Sequence, residues 1–299
     1  MTPLAALIVD WAITALWPLI GAFGMRYYSG ALFTTGGLVI GLAVMSPWLL
    51  ARGRWRRLFS RDTAPSLAMM GLCSGGATVI FISALAHTTP ANAAIVAQVE
   101  VLYSAALTAW LLGERPSLKL GLAASLVMGG TALVMLHDLS SPRWKGDLMI
   151  LCTPWLYQVS HIFAKRLPRD LDALTLSGGR VVYGILAMAP VCLWTLSHGA
   201  RWSWAPGALG ILATQGLLMS SLNFVLWYMA IRHMELSKAT TFMLSYPALT
   251  LLFSWGLGRE PIQAVQLAGL ACSFSGAAWT ARLTQQSRHD ASEAPPVAL

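Results

Sequence analysis

Residues 84–116 read ALAHTTPANAAIVAQVEVLYSAALTAWLLGERP, and the landmarks of this stretch recur 146 residues farther along the chain. The first copy contains Ala84, His87, Glu114 and Gly130, and the same residue types occur in the same order in the second copy as Ala230, His233, Glu260 and Gly276. In both copies an apolar run ends at a turn that contains Glu and Pro, and a glycine-rich apolar run follows. Because repetition at a fixed spacing determines architecture, the sequence predicts one structural unit present twice.

The composition indicates a membrane protein. The 299-residue chain is 56% hydrophobic and only 11% charged, with a mean hydropathy of +0.62, whereas soluble domains carry about 25% charged residues. Apolar runs of about 20 residues, which are long enough to cross a bilayer as helices, recur along the whole chain. The sequence therefore predicts an all-α polytopic protein that is embedded in a lipid bilayer, and it excludes a water-soluble globule.

Ten transmembrane helices are predicted, and several begin beside a proline, which is tolerated at a helix start. The predicted spans are 4–23, 29–51, 65–86, 90–112, 117–137, 147–165, 172–196, 206–231, 236–257 and 262–283. They form two units of five spans, residues 1–137 and 138–283, and the polar segment 284–299 is predicted to be a disordered tail. An odd number of spans inverts one unit relative to the other, as in secondary transporters whose substrate sites lie at the midplane.

The positive charges predict the orientation of these spans. Of the 20 Lys and Arg residues, 14 fall in connections on one side and five on the other. The positive-inside rule therefore places the N and C termini in the cytoplasm. The net charge of +8 does not indicate a nucleic-acid partner, because the basic residues are confined to short connections and form no continuous basic face.

Other classes of function lack their sequence features. The four cysteines are isolated within apolar runs, and no cluster of metal ligands or cofactor motif occurs, so no metal and no cofactor are expected. Neither His-Glu-x-x-His nor Gly-x-Ser-x-Gly is present, which argues against an enzyme. A scaffold is disfavoured because the loops are short. The expected partner is a small-molecule substrate, and the sequence is compatible with a monomer.

Three motifs carry a family resemblance: Leu16-Trp17, Pro154-Trp155 and Gly113-Glu114-Arg115-Pro116. With the duplicated five-span pattern, residues 4–283 resemble the drug/metabolite transporter superfamily in its EamA-type branch. The sequence departs from the family pattern at two places. The second turn reads Gly258-Arg259-Glu260-Pro261, with Arg and Glu exchanged, and the first unit has Leu38 where the second unit has Arg180. Within the branch the chain resembles bacterial exporters of aromatic amino acids, which carry polar residues at positions similar to His87 and Lys238.

The resemblance implies secondary export of Phe, Trp, Tyr and other amphipathic metabolites across the bacterial inner membrane, driven by gradients because no ATP-binding motif is present. The alternative is a multidrug exporter of planar aromatic cations, with Glu100 as the counter-ion.

Ionisable residues inside spans are costly and often functional. Four occur here: Asp10, Glu100, His161 and Arg180. Glu100 lies near the middle of its span, and it could bind a substrate ammonium, carry a coupling proton, or form a structural ion pair with Arg180. His161 is predicted to be a packing residue, and the position of Asp10 depends on the register of the first span.

Deep aromatic residues could line a cavity and stack on flat substrates, or they could be core packing. Trp17 and Trp155 occupy matching places in the two units, which favours the cavity for this pair. Lys238 could bind a substrate carboxylate at a helix start or snorkel to the surface. The predicted substrate-binding residues are Trp17, His87, Asn92, Gln98, Glu100, Tyr103, Trp155, Tyr157, Asn223, Trp227, Lys238 and Tyr246.

Overall fold

The computed structural model describes the chain except residues 89–92, 94, 95, 98, 101, 102, 104–106, 108, 109, 112–116, 136–143, 257–263 and 294–299. The described elements are all helices. They are α1 (Pro3–Thr14), α2 (Trp17–Gly24), α3 (Gly30–Ala51), α4 (Trp55–Leu58), α5 (Ala64–Ala84), α6 (Leu118–Met135), α7 (Trp144–Arg166), α8 (Ala173–Ser197), α9 (Pro206–Thr214), a π-helix (Gln215–Asn223), α10 (Phe224–Ile231), α11 (Leu236–Met243), α12 (Tyr246–Gly256) and α13 (Ala264–Glu293).

Five helical stretches of the described chain are long and apolar enough to cross a membrane: Pro3–Gly24, Gly30–Ala51, Ala64–Ala84, Ala173–Ser197 and Pro206–Ile231. Each has 21 to 26 residues, and about 20 suffice for a bilayer. The protein is therefore an integral, multi-pass membrane protein. Most of the predicted fourth span and both Glu-Pro turns lie outside the described residues.

The C-terminal end differs from the prediction. Helix α13 continues to Glu293, ten residues beyond the predicted end of the last span at 283, so the segment 284–293 is helical although a disordered tail was expected there. Residues 294–299 lie outside the described part of the chain.

Two helical stretches are interrupted beside a proline. Helix α1 ends at Thr14 and α2 begins at Trp17, next to Pro18. Helix α11 ends at Met243 and α12 begins at Tyr246, next to Pro247. Because proline has no N–H, it leaves the carbonyl four residues earlier without its helical hydrogen bond, which weakens the helix at that point.

The two interruptions touch each other. Thr250 in α12 donates a hydrogen bond from Oγ1 to the carbonyl oxygen of Ala15, which lies in the gap between α1 and α2, at 2.7 Å. A backbone carbonyl released inside a membrane must find another donor. The hydroxyl of Thr250 therefore stabilises the gap in the first stretch.

A third irregularity is the π-helix in the middle of the stretch 206–231. It packs closely against α3 at Gly37 and Gly41. A Cβ added to Gly41 would lie 2.8 Å from the carbonyl oxygen of Ser220, so only glycine permits this approach. Single-turn π-bulges inside α-helices frequently mark functional sites.

The contacts between helices follow the repeat. Helix α6 packs on α13 and α3 on α8, while α1 packs on α10 and α5 on α7. In the repeat, α6 corresponds to α13 and α3 to α8, so each of these two contacts joins a helix to its own counterpart. The stretch α1–α2 corresponds to α7, and α5 corresponds to the stretch that ends in α10. The contact between α1 and α10 is therefore equivalent to the contact between α7 and α5. The packing thus has the pairwise pattern of two equivalent halves.

Candidate functional site

A cavity of about 150 Å³ lies where the three irregular segments meet. It is bordered by Trp17 at the start of α2, by Met243 and Tyr246 on either side of the second gap, and by Gln215 and Asn223 of the π-helix. An engineered, dry protein cavity of about 150 Å³ binds benzene. The space therefore admits one aromatic ring.

One wall of the cavity is aromatic. The ring of Trp17 stacks on Phe81 with centroids 4.2 Å apart, and it meets the ring of Tyr157 edge to face at 6.4 Å. The hydroxyl of Tyr157 shares a hydrogen bond of 2.8 Å with the hydroxyl of Thr78. Because all four side chains line the cavity, this wall offers a flat apolar surface with a polar edge.

Two carboxylates line the same cavity, and an amide from the second half of the chain orients each of them. Asn223 donates from Nδ2 to Asp10 at 2.7 Å and to the hydroxyl of Thr14 at 2.8 Å. Gln158 donates from Nε2 to Glu100 at 2.7 Å. These bonds fix acceptors for a positively charged group inside the protein.

Arg180, on α8, brings the opposite charge to the cavity and is only 5% exposed. Its guanidinium carbon lies 3.7 Å from the centre of the Phe224 ring, and Nη1 donates to the hydroxyl of Tyr228 at 3.3 Å. No ion pair joins Arg180 and Glu100, both of which the structure describes. The interpretation of these residues as a structural ion pair is therefore wrong.

His161 and Trp227 form a buried pair at the edge of the cavity. The indole N–H of Trp227 donates to Nδ1 of His161 at 3.0 Å. The prediction that His161 is a packing residue with a satisfied hydrogen bond agrees with this contact, although both side chains also line the cavity.

Six of the predicted substrate-binding residues line this cavity together: Trp17, Glu100, Tyr157, Asn223, Trp227 and Tyr246. Four described ones do not. Tyr103 packs edge to face on Trp155 at 5.7 Å, and Trp155 is 45% exposed. His87 is exposed beyond the end of α5. Lys238 forms an ion pair with Glu235 at 2.9 Å in the first turn of α11.

Asn92 and Gln98 lie outside the described residues. The expectation that Trp17 and Trp155 share the cavity is not met, because Trp17 lines it whereas Trp155 packs against Tyr103. Tyr157 follows Trp155 by two residues, which is about 200° around a helix, and so it faces inward.

Several lining residues were not in the predicted substrate-binding set. Asp10, His161 and Arg180 were noted only as ionisable residues inside spans, and the hydroxyls of Thr34, Thr78 and Thr153 and the ring of Phe81 were not singled out. A sequence signal was available for Thr153. It precedes Pro154, and its hydroxyl donates at 2.9 Å to the carbonyl of Ile150, which proline leaves without an N–H partner. Phe81 has no comparable signal, because it is one apolar residue among many in α5.

Charged loops join the two halves at one end of the molecule. Arg57 pairs with Asp170 at 2.7 Å, and Arg52 pairs with Asp172 at 3.2 Å. Asp172 also caps α8 by accepting the N–H of Thr175. Partial burial would raise the pKa of Asp172, but the hydrogen bonds from Thr175 and the nearby Arg54 and Arg52 hold that pKa below its ordinary value.

Comparison with known proteins agrees with this architecture. The model of the EamA-like transporter family matches residues 2–136 and 144–282. The chain is similar to the uncharacterized transporter YyaM of Bacillus subtilis, at 22% identity over 86% of each chain. It is also similar to the uncharacterized protein PA1977 of Pseudomonas aeruginosa, at 27% identity over 86% of this chain and 80% of that one.

A solved crystal structure shares the fold, with a TM-score of 0.78 and 17% identity over 95% of this chain and 98% of the other.

Proposed function

Because the chain belongs to the EamA-like transporter family, we propose that it exports small amphipathic metabolites, foremost Phe, Trp and Tyr, across the bacterial inner membrane. The family supports transport of a small molecule through the bilayer. The choice of aromatic amino acids goes further, and it is supported by the contents of the cavity.

The observation that carries the proposal is the presence of three chemistries around one small space. Trp17 and Phe81 form a stacked aromatic surface, Asp10 and Glu100 supply carboxylates, and Arg180 supplies a cation. An aromatic amino acid carries a ring, an ammonium and a carboxylate. A cavity of about 150 Å³ has room for an aromatic ring.

The proposed mechanism is alternating access of two inverted five-span halves, residues 1–137 and 138–283, with both termini in the cytoplasm. In such transporters the site lies between the repeats and is formed by discontinuous helices. The gaps α1–α2 and α11–α12 and the π-helix border the cavity, so small rotations there would change its access. The driving force is a gradient rather than ATP.

The second candidate is export of planar aromatic cations. It is favoured by one observation, which is that two carboxylates, Asp10 and Glu100, line the cavity with a single arginine. On this account Glu100→Gln abolishes flux of the cation, because the counter-ion is lost, while flux of a zwitterion persists.

The test is flux of labelled Phe, Trp, Met, Thr and a planar cation in proteoliposomes, with and without a pH gradient. Saturable flux of Phe and Trp above that of Met and Thr supports the proposal, and a requirement for the gradient indicates proton coupling. Flux of the cation alone supports the second candidate. Folded protein that moves none of these compounds contradicts both.

A further inference from the structure

We propose that the guanidinium of Arg180 is the carboxylate-binding group of the cavity. The inference rests on the proposed function for the identity of the substrate as an amino acid, but its chemistry concerns any small aromatic carboxylate. It replaces Lys238, which the sequence favoured for this role and which does not line the cavity.

Arg180 is a buried cation that forms no ion pair within the described part of the chain. Arg180 is 5% exposed, and a buried charge is unfavourable unless it is paired. Among the residues that the structure describes, Arg180 forms no ion pair, and its one hydrogen-bond partner is the neutral hydroxyl of Tyr228. Its Nε has no hydrogen-bond partner in the described part of the chain. A buried cation that lines a cavity without forming an ion pair favours an anionic ligand.

Arg180 also has the chemistry that recognises a carboxylate. Phe224 covers one face of the guanidinium, with the guanidinium carbon 3.7 Å from the ring centre, and Nη1 donates to the hydroxyl of Tyr228. A guanidinium carries parallel N–H groups that bind a carboxylate through two hydrogen bonds. A lysine ammonium has no such planar edge.

Both signs of charge line the same cavity. Asp10 and Glu100 line it with Arg180, but Asp10 accepts its hydrogen bond from Asn223 and Glu100 accepts its hydrogen bond from Gln158. A zwitterion therefore has a cationic partner and an anionic one in one space.

The experiment is equilibrium binding to purified protein of three probes with the same ring: Phe, 3-phenylpropionate, which has no amine, and phenethylamine, which has no carboxylate. The variants are Arg180→Gln, Arg180→Lys and, as a control, Arg166→Gln. Arg166 is an exposed arginine whose contact is the carbonyl of Leu111.

We expect wild type to bind Phe and 3-phenylpropionate. Arg180→Gln weakens both by roughly 10- to 100-fold, as expected for loss of a charged hydrogen bond. Its affinity for phenethylamine is unchanged or higher, and Arg180→Lys is intermediate because it keeps the charge without the planar edge. Arg166→Gln binds all probes as wild type does.

The inference is overturned if wild type does not bind 3-phenylpropionate, or if Arg180→Gln binds it equally well. If Arg180→Gln does not fold, Arg180→Lys decides, and wild-type affinity for 3-phenylpropionate in that variant overturns the inference. A different result would contradict the proposed function but not this inference: 3-phenylpropionate would bind in a manner that depends on Arg180, but no amino acid would be bound or transported.

Discussion

Gly130 and Gly276, which lie 146 residues apart, occupy equivalent places in the contact between α6 and α13. A Cβ on Gly130 would lie 2.6 Å from the carbonyl oxygen of Gly269, and a Cβ on Gly276 would lie 2.9 Å from that of Ala123. Gly269 and Ala123 each stand seven positions before the glycine of their own helix. The two glycines therefore make equivalent contacts with the facing helix, so the repeat detected in the sequence is also present in the packing.

The first prediction concerns this contact. Gly130→Ala is expected to lower the free energy of unfolding by about 1–3 kcal/mol, because the added methyl group collides with backbone atoms of α13 that cannot move without separating the helices. The measurement is thermal unfolding of the purified protein in detergent.

The neighbouring glycine provides the control for this prediction. A Cβ on Gly129 would meet nothing within 4 Å, so Gly129→Ala is expected to leave stability unchanged or to raise it by about 1 kcal/mol, since alanine favours helix. Equal unfolding temperatures for the two variants would show that the close contact is absent.

The second prediction concerns the junction of the two interruptions. Thr250→Val keeps the shape of the side chain but removes the donor to the carbonyl of Ala15, which is expected to cost about 1–3 kcal/mol because a buried acceptor loses its partner. Thr195→Val is the matched control, because Thr195 also donates to a backbone carbonyl, that of Val191, but in an exposed position. Similar destabilisation by both substitutions would contradict the role given to Thr250.

The third prediction concerns Asp172. Its pKa is lower in the folded protein than in the unfolded chain, so its contribution to stability is complete above the unfolded pKa of about 3.9 and is lost as the pH falls through the folded value. Asp172→Ala is expected to destabilise the protein by about 0.5–2 kcal/mol at pH 7, since it removes the helix cap as well as the charge.

Asp172→Asn separates these two effects, because asparagine also caps helices. We expect it to be less destabilising than Asp172→Ala, and its difference from wild type to shrink below about pH 4, where the aspartate becomes protonated. Unfolding followed at pH 7 and at pH 3 checks this, and a difference that grows on acidification would refute the assignment.

The class of fold was predictable from the sequence because it depends on composition and repetition. Long apolar runs with few charges require helices in a bilayer, and the structure confirms an all-helical membrane protein. The interruptions were harder to predict. Pro18 and Pro247 are visible in the sequence, but prolines also begin helices, and the π-helix at residues 215–223 carries no proline.

The direction in which each side chain points was the least predictable feature. In a soluble helix one polar face identifies the outer side, but in α7 polar residues such as Thr153, Gln158 and His161 are buried. Because the sequence alone does not show that these residues mark the inner side, Trp155 and Tyr157 received the same prediction. Similarly, Arg180 was visible as a buried charge, but its contacts are with Phe224 and Tyr228, which are distant in sequence.

The most direct test of the cavity as the substrate site uses Trp17 and Trp155, which match in the repeat but differ in position. Binding of labelled Phe would be measured for wild type, Trp17→Ala and Trp155→Ala, each checked for folding by thermal unfolding. Loss of the aromatic contacts of Trp17 is expected to weaken binding by roughly 2- to 10-fold, while Trp155→Ala binds as wild type does. Unchanged binding in Trp17→Ala, or weaker binding in Trp155→Ala alone, would contradict the account.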